Sequence, residues 1–307
     1  MAPRKTQLPA VPVQEVEAPS KKGASPAPAV KYYLIAYNVV SALSWAYILI
    51  VLTLHILGVS FVSSSSTAAA AARPLSASAR IASFLRPFSK AASTKARAST
   101  AARVQEKLLQ PLLHRASTTY AVIGPETTLV QTLALLEILH AGLGWVRSPI
   151  QTTAAQVASR IFLVWGVVER FESARSSPLY ASMIFSWSLT EVIRYSFYAF
   201  SLISTSAPPH PLLWLRYTTF FVLYPLGASS EAFVNFATLP RSSPLPTATL
   251  SAWLKGNLWS PYDYIRGLLF LVWWPGLYFM YTYMLGQRRK VLGNGLGKKL
   301  GGKSKSL

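Results

Sequence analysis

Residues Leu215–Phe233 read LRYTTFFVLYPLGASSEAF. The stretch is almost wholly apolar and aromatic, yet it carries Arg216 near one end, Glu231 near the other and Tyr224 between them. A carboxylate taken out of water is costly unless it is paired or put to use. What surrounds this segment, and what chemistry keeps an acid in it, decide how the rest of the chain is read.

The surroundings come from composition. Of 307 residues, 51% are hydrophobic and 13% charged, where a soluble domain carries about 25% charged residues. Six apolar segments stand out, at about 33–60, 127–146, 149–168, 177–203, 211–239 and 265–287. Each is long enough for a helix to cross a hydrocarbon core of ~30 Å, which needs about 20 residues. Backbone groups in lipid must be satisfied within the segment, so the segments are predicted to be helices. The alternating strands of about ten residues that would mark a membrane barrel are absent. The expected fold is an all-α multi-pass membrane protein with six transmembrane helices. Residues 1–31 form a disordered basic tail in this reading, and 32–62 the first transmembrane helix. Residues 63–118 form a low-complexity basic insertion, 119–287 the other five helices with the site, and 288–307 a basic tail. Within the insertion, Ala101–His114 has the pattern of a short surface helix broken at Pro111.

Net charge is +20, from 30 Lys and Arg against 10 acids. The basic residues flank apolar segments or fill the tails, which suits anionic headgroups and topology signals and argues against nucleic-acid binding. Both tails are basic, which places both termini in the cytosol and requires an even number of spans. The same topology puts the basic insertion on the lumenal side, a conflict softened by its length. The last residues, KSKSL, place Lys303 and Lys305 as in a dilysine retrieval signal of the endoplasmic reticulum. The chain has no cysteine, which removes disulfides, Cys-ligated metal centres and Cys nucleophiles. Its four histidines show no metal-ligand spacing, so no metal site is expected.

Three acids fall within apolar runs: Glu137, Glu191 and Glu231. Glu191 and Arg194 share a helix face and can pair, either as a structural ion pair or in support of a site. Glu137 is a helix-packing hydrogen bonder or a supporting residue of a site, and Arg160 is a candidate counter-ion for either acid. Glu231 is set apart by Tyr224, seven residues earlier. Seven residues return to nearly the same helix face, about 10 Å along the axis. Gly227 and Ala228 lie between, leaving a gap on that face or a place for another helix to approach. Pro225 is expected to kink the helix beside Tyr224.

Three segments, 135–160 (LLEILHAGLGWVRSPIQTTAAQVASR), 186–198 (SWSLTEVIRYSFY) and 215–231 (LRYTTFFVLYPLGASSE), resemble the very-long-chain (3R)-3-hydroxyacyl-CoA dehydratases, formerly called protein-tyrosine-phosphatase-like. The likeness covers roughly 32–60 and 120–290. The insertion and the long N-terminal tail lie outside it. The resemblance implies a six-span protein of the endoplasmic reticulum membrane with cytosolic termini. It implies loss of water from 3-hydroxyacyl-CoA to give trans-2-enoyl-CoA, the third step of fatty-acid elongation. It assigns catalysis to the Tyr of an LYPxG motif and the Glu seven residues later, here Tyr224 and Glu231. The implied partners are the acyl-CoA substrate, the elongase condensing enzyme and the two reductases of the cycle.

Dehydration needs a base for a weakly acidic α-proton and an acid for a poor leaving hydroxyl. Glu231 is expected to take the proton and Tyr224 to protonate the leaving oxygen. Arg216, Arg194, Tyr217 and Gly227 are candidates for substrate contacts, with Glu191, Glu137 and Arg160 supporting. Phe220, Phe221 and Phe233 are candidates for an apolar acyl channel. Elimination calls for no metal or redox cofactor, and without cysteine the older name implies no phosphatase chemistry. The rival readings are a catalytically silent scaffold of the elongation complex and a six-helix transporter. An internal repeat or paired broken helices would favour the transporter, and neither is present.

Overall fold

Prolines and serines mark where the helices begin. In the computed structural model, which describes residues 27–59, 107, 109–204, 207–240 and 259–293, several helices open with Pro in their first turn. There its missing N–H costs nothing. Helix α1 (Pro28–Leu57) starts at Pro28 and ends at Gly58, whose φ of 79° is a left-handed C-cap. A side chain there would also strike the Arg115 guanidinium, so glycine serves both turn and contact. The chain then forms α2 (Gln110–Ser117), α3 (Thr119–Leu133) and α4 (Leu135–Gly142), nearly continuous with one another. Helix α5 (Ile150–Ile161) runs on into a π-helical stretch, Phe162–Val168. After the one-turn α6 (Glu172–Arg175) come α7 (Pro178–Ile203), α8 (His210–Thr218), α9 (Phe220–Phe236) and α10 (Pro261–Arg288). Ser177 caps α7 by accepting from the Leu179 N–H, and Ser260 and Asp263 form a reciprocal capping box on α10. Among the described residues there is no strand.

Among the described residues, three stretches are long and apolar enough to cross a membrane: Pro28–Leu57, Gln110–Gly142 and Pro261–Gly293. Contacts between rod ends show that neighbouring rods run in opposite directions. Arg115, at the start of the second rod, donates to the Ile56 carbonyl at 3.1 Å, at the end of the first. Tyr33, at the start of the first, meets His140 at 3.0 Å, at the end of the second. Phe220 and Tyr281 pair the start of α9 with the later part of α10, ring centroids 5.7 Å apart.

Helix α7 is the axis of the bundle. Thirteen of its residues are buried, against two of α10, which lies on the outside. The core joins Trp45, Ile48 and Leu52 of α1 to Leu163 and Val167 of the π stretch, Met183 and Ile184 of α7, and Val234 of α9. Between α7 and α9 the contact is a seam of small residues. Ser182 and Ser230 hydrogen-bond at 2.7 Å, and a Cβ on Gly227 would lie 3.2 Å from Ser186 Cβ. In lipid, where apolar side chains gain nothing by leaving solvent, such close backbone approach is what holds helices together.

The structure departs from the sequence expectations in several places. Residues 110–118, assigned to the insertion, belong to the bundle: Ala116 is buried and His55 Nε2 donates to the Arg115 carbonyl at 2.8 Å. Pro111 stands in the first turn of α2, and most of the expected surface helix before it lies outside the described residues. The second rod begins well before the expected start at 127, so Glu126 lies inside α3. Pro225 lies within α9, and the residue that joins α8 to α9 is Thr219. The polar tail before residue 27, the insertion before 107 and KSKSL lie outside the described residues.

One buried latch has no counterpart in the sequence expectations. Arg266, 1% exposed, pairs with Asp263 and with the Thr238 hydroxyl, and donates to the Thr238 carbonyl at 3.0 Å. Its guanidinium lies 4.1 Å from the centre of the Phe171 ring, and its carbonyl accepts from Asn235 Nδ2 at 2.9 Å. The latch ties the end of α9 to the start of α10 across the entry to α6. Removing one member of a buried pair strands the other, at a cost of about 3–5 kcal/mol. Arg266→Ala is therefore expected to lower the thermal midpoint of the detergent-solubilised protein clearly, and Arg266→Lys to lower it less. An unchanged midpoint in both would show that the latch carries no stability.

Candidate active site

Tyr224 and Glu231 both belong to α9, seven residues apart and so on nearly the same face of the helix, and Glu231 meets α7 and α10. Glu231 is held from two sides. Trp187 of α7 donates its indole N–H to Oε1 at 2.6 Å, and Trp273 of α10 donates to Oε2 at 3.0 Å. An indole nitrogen can only donate, so the carboxyl is the acceptor in both bonds, with one oxygen given to each helix. The two bonds fix the plane of the carboxyl group. Tyr224 is half-buried, and both it and Glu231 lie within electrostatic reach of Arg160 on α5. The Arg160 guanidinium sits 5.2 Å from the centre of the Trp187 ring, so the tryptophan that holds Glu231 is itself covered by a cation.

Arg160 opens a chain of charges. It pairs with Glu191, whose side chain is 3% exposed. Arg194 Nε donates to the other Glu191 oxygen at 2.6 Å. Arg194 Nη1 and Nη2 then reach the two oxygens of Glu137 on α4, at 2.8 and 2.6 Å, and the Tyr195 hydroxyl also donates to Glu137. Two arginines and two glutamates alternate across α5, α7 and α4 with no net charge. The i,i+3 pair foreseen on α7 is present, and Arg160 takes Glu191 as its partner.

The remaining sequence candidates are distributed as follows. Arg194 spends its fork on Glu137 and Glu191. Arg216 has no carboxylate within reach among the described residues. It lies over Phe197 and Tyr198, 4.5 and 4.7 Å from the ring centres, and donates to the Tyr198 hydroxyl at 3.0 Å. Tyr217 lies beside it, its ring centre 6.0 Å from the guanidinium. Gly227 faces Ser186, so its missing side chain admits α7. Phe220 stacks on Phe221 at 4.6 Å, and Phe233 packs on Phe270 and Trp274 of α10. Trp187 and Trp273 were not among the sequence candidates. The available signal was chemical: an indole is a donor without acceptor capacity, and an acid within an apolar run needs donors.

Comparison with known proteins places this constellation. Residues 131–294 match the family model described as protein tyrosine phosphatase-like protein, PTPLA. The chain belongs to the PTPLA family. Its relatives include a very-long-chain (3R)-3-hydroxyacyl-CoA dehydratase of Caenorhabditis elegans, 42% identical over 59% of this chain and 82% of the relative. A rice dehydratase of that description, PASTICCINO 2B, is 43% identical over 56% of this chain and 78% of the relative. A probable dehydratase of Schizosaccharomyces pombe is 47% identical over 53% and 71%. No solved structure matches. The PTPLA match spans α4 to α10 and so contains every residue of the charge chain and both indoles that hold Glu231.

The glycines permit a direct test of the α7–α9 seam. Gly227→Val must push Ser186 away and is expected to cut both the yield of folded protein and its activity severalfold. Gly276→Ala, where a Cβ would meet nothing within 4 Å, should leave folding intact and raise helix stability by up to about 1 kcal/mol. Equal effects of the two substitutions in a detergent stability assay would argue against close α7–α9 contact.

Proposed function

We propose that this chain removes water from (3R)-3-hydroxyacyl-CoA to give trans-2-enoyl-CoA, as the hydro-lyase of the third step of long and very-long-chain fatty-acid elongation, and that Glu231 and Tyr224 perform the elimination. The observation that carries the site is the double indole grip on Glu231, two helical turns from a half-buried tyrosine. The Glu231 carboxylate takes the proton from C2. The electron pair forms the C2–C3 double bond, the C3–O bond breaks, and the Tyr224 hydroxyl gives its proton to the departing oxygen, which leaves as water. The proton on Glu231 is then returned to the phenolate through the water just formed. Trp187 and Trp273 hold the base in one orientation throughout, which lowers the reorganisation needed at the moment of reaction. Arg160 places a positive charge near both groups while Glu191 balances it. No metal or redox cofactor is required, because loss of water is redox-neutral and Glu231 and Tyr224 serve both of its proton transfers.

The same reading makes the protein a six-span resident of the endoplasmic reticulum membrane with both termini in the cytosol. Its support is the alternation of the rods and the basic run Arg288, Arg289 and Lys290 at the end of α10, on the side where Lys31 stands in the first turn of α1. A condensing enzyme that makes the 3-ketoacyl-CoA, a reductase that supplies the 3-hydroxyacyl-CoA and a reductase that consumes the enoyl product are its partners in the cycle.

Purified protein given 3-hydroxyacyl-CoA should form enoyl-CoA, measured by chromatography. Tyr224→Phe and Glu231→Gln are each expected to abolish product while the protein stays folded; undiminished turnover in both would end the assignment. Trp187→Phe or Trp273→Phe removes one bond to a carboxylate, worth about 1.5–3 kcal/mol, so kcat should fall roughly 10- to 100-fold. The falls should appear in kcat more than in KM, since the indoles touch the base and not the substrate.

A further inference from the structure

The outer pair of helices, α9 and α10, leaves a shallow open cleft of about 270 Å³ between Pro225 and the residues Trp274, Leu277, Tyr278 and Tyr281. Two of these are sequence neighbours of the catalytic constellation: Pro225 succeeds Tyr224, and Trp274 succeeds Trp273, the indole that holds Glu231. A helix turns about 100° per residue, so Trp273 faces Glu231 inside while Trp274 borders the cleft outside. Tyr278 is 67% exposed, and no other helix closes this side among the described residues.

Farther along the same helix pair the chemistry changes. Arg288 lies about 10 Å beyond Tyr281 along α10. Its guanidinium sits 5.2 Å from the centre of the Phe221 ring and its Nε is buried without a hydrogen-bond partner. Among the described residues no carboxylate pairs with it, and Arg216, in the last turn of α8, is likewise without one. A ligand that matches this surface has an anionic head and an apolar tail joined by a spacer of about ten ångströms or more.

Resting on the dehydratase reading above, we propose that the α9–α10 cleft is a lateral portal for acyl-CoA: the phosphates lie at Arg288 and Arg216, and the acyl chain passes between Pro225 and Leu277 into the bilayer. Enclosed ligand pockets are commonly ~300–1,000 Å³. A smaller and open cleft cannot enclose a very long chain, so only the carbons nearest the thioester are gripped and the rest lies among lipid tails. The enzyme then has no closed end against which to measure chain length.

Leu277→Trp fills the cleft and is expected to raise KM roughly tenfold more for a long-chain 3-hydroxyacyl-CoA, whose chain must cross the cleft, than for the four-carbon one, whose chain ends at the reacting carbons. Arg288→Gln should raise KM for both by a similar factor. A second measurement does not depend on turnover. A long-chain acyl-CoA carrying a diazirine near the thioester should crosslink to the 274–281 peptide, and one with the diazirine at the far end should crosslink to lipid. Crosslinking should persist in the inactive Glu231→Gln protein. The portal is overturned if Leu277→Trp shifts both substrates alike, or if the near-thioester probe labels helices other than α9 and α10. Normal turnover by Glu231→Gln would instead remove the catalytic assignment and leave the crosslinking result to stand on its own.

Discussion

Hydrocarbon cannot solvate a carboxylate, and the packing around Glu191 is built on that constraint. Its side chain is 3% exposed, and one arginine stands at each of its oxygens. Arg160 comes from α5 and Arg194 from α7 itself, and Arg194 passes the interaction on to Glu137 of α4. Three rods are thus tied together by a requirement that cannot be met by any one of them. Losing a single member would leave its neighbours charged and unpaired in a medium where that costs several kcal/mol. The packing of α7 against α5 and α4 is accordingly specified by charge as well as by shape, and α7 becomes the axis about which the remaining helices are arranged.

The proposed catalytic acid–base pair depends on that frame without belonging to it. Trp187 lies one turn before Glu191 on α7, so the face that carries the ion network also presents the indole to Glu231. Arg160 covers that indole on one side and pairs with Glu191 on the other. The grip on Glu231 is completed by Trp273, from the outermost helix α10, which is fastened to α9 by the Arg266 latch. A base held by two helices and steadied by a third is preorganised in the sense that matters for proton abstraction: its orientation is set before substrate arrives. The small-residue seam of Ser182, Ser186, Gly227 and Ser230 brings α7 close enough to α9 for the indole to reach.

Much of this is legible along the chain. Long apolar runs point to the all-helical membrane class, because a backbone in lipid has few ways to satisfy itself. The spacing of Tyr224 and Glu231 puts them on a shared face, because helical periodicity is local. The pairing of Glu191 with Arg194 comes from the same rule. Errors gather where local pattern is weak. Residues 110–118 look like the end of a polar insertion, yet Arg115 and Ala116 have partners that no local window contains. Pro111 stands in the first turn of a helix that packs into the bundle.

The sequence by itself determined which residues are too polar for their surroundings, and therefore which had to be paired or used: Glu137, Arg160, Glu191, Arg194, Tyr224 and Glu231. It could not determine who pairs with whom across helices. Arg160 to Glu191, Glu137 to Arg194, and above all Trp187 and Trp273 to Glu231 join residues dozens of positions apart, and Arg266 sits beside Thr238 only because α9 and α10 meet there. The difference is physical. Desolvation acts on each residue where it stands and leaves its mark in composition and spacing, while a hydrogen bond exists only at a separation of about 3 Å, which nothing short of the packed helices can set.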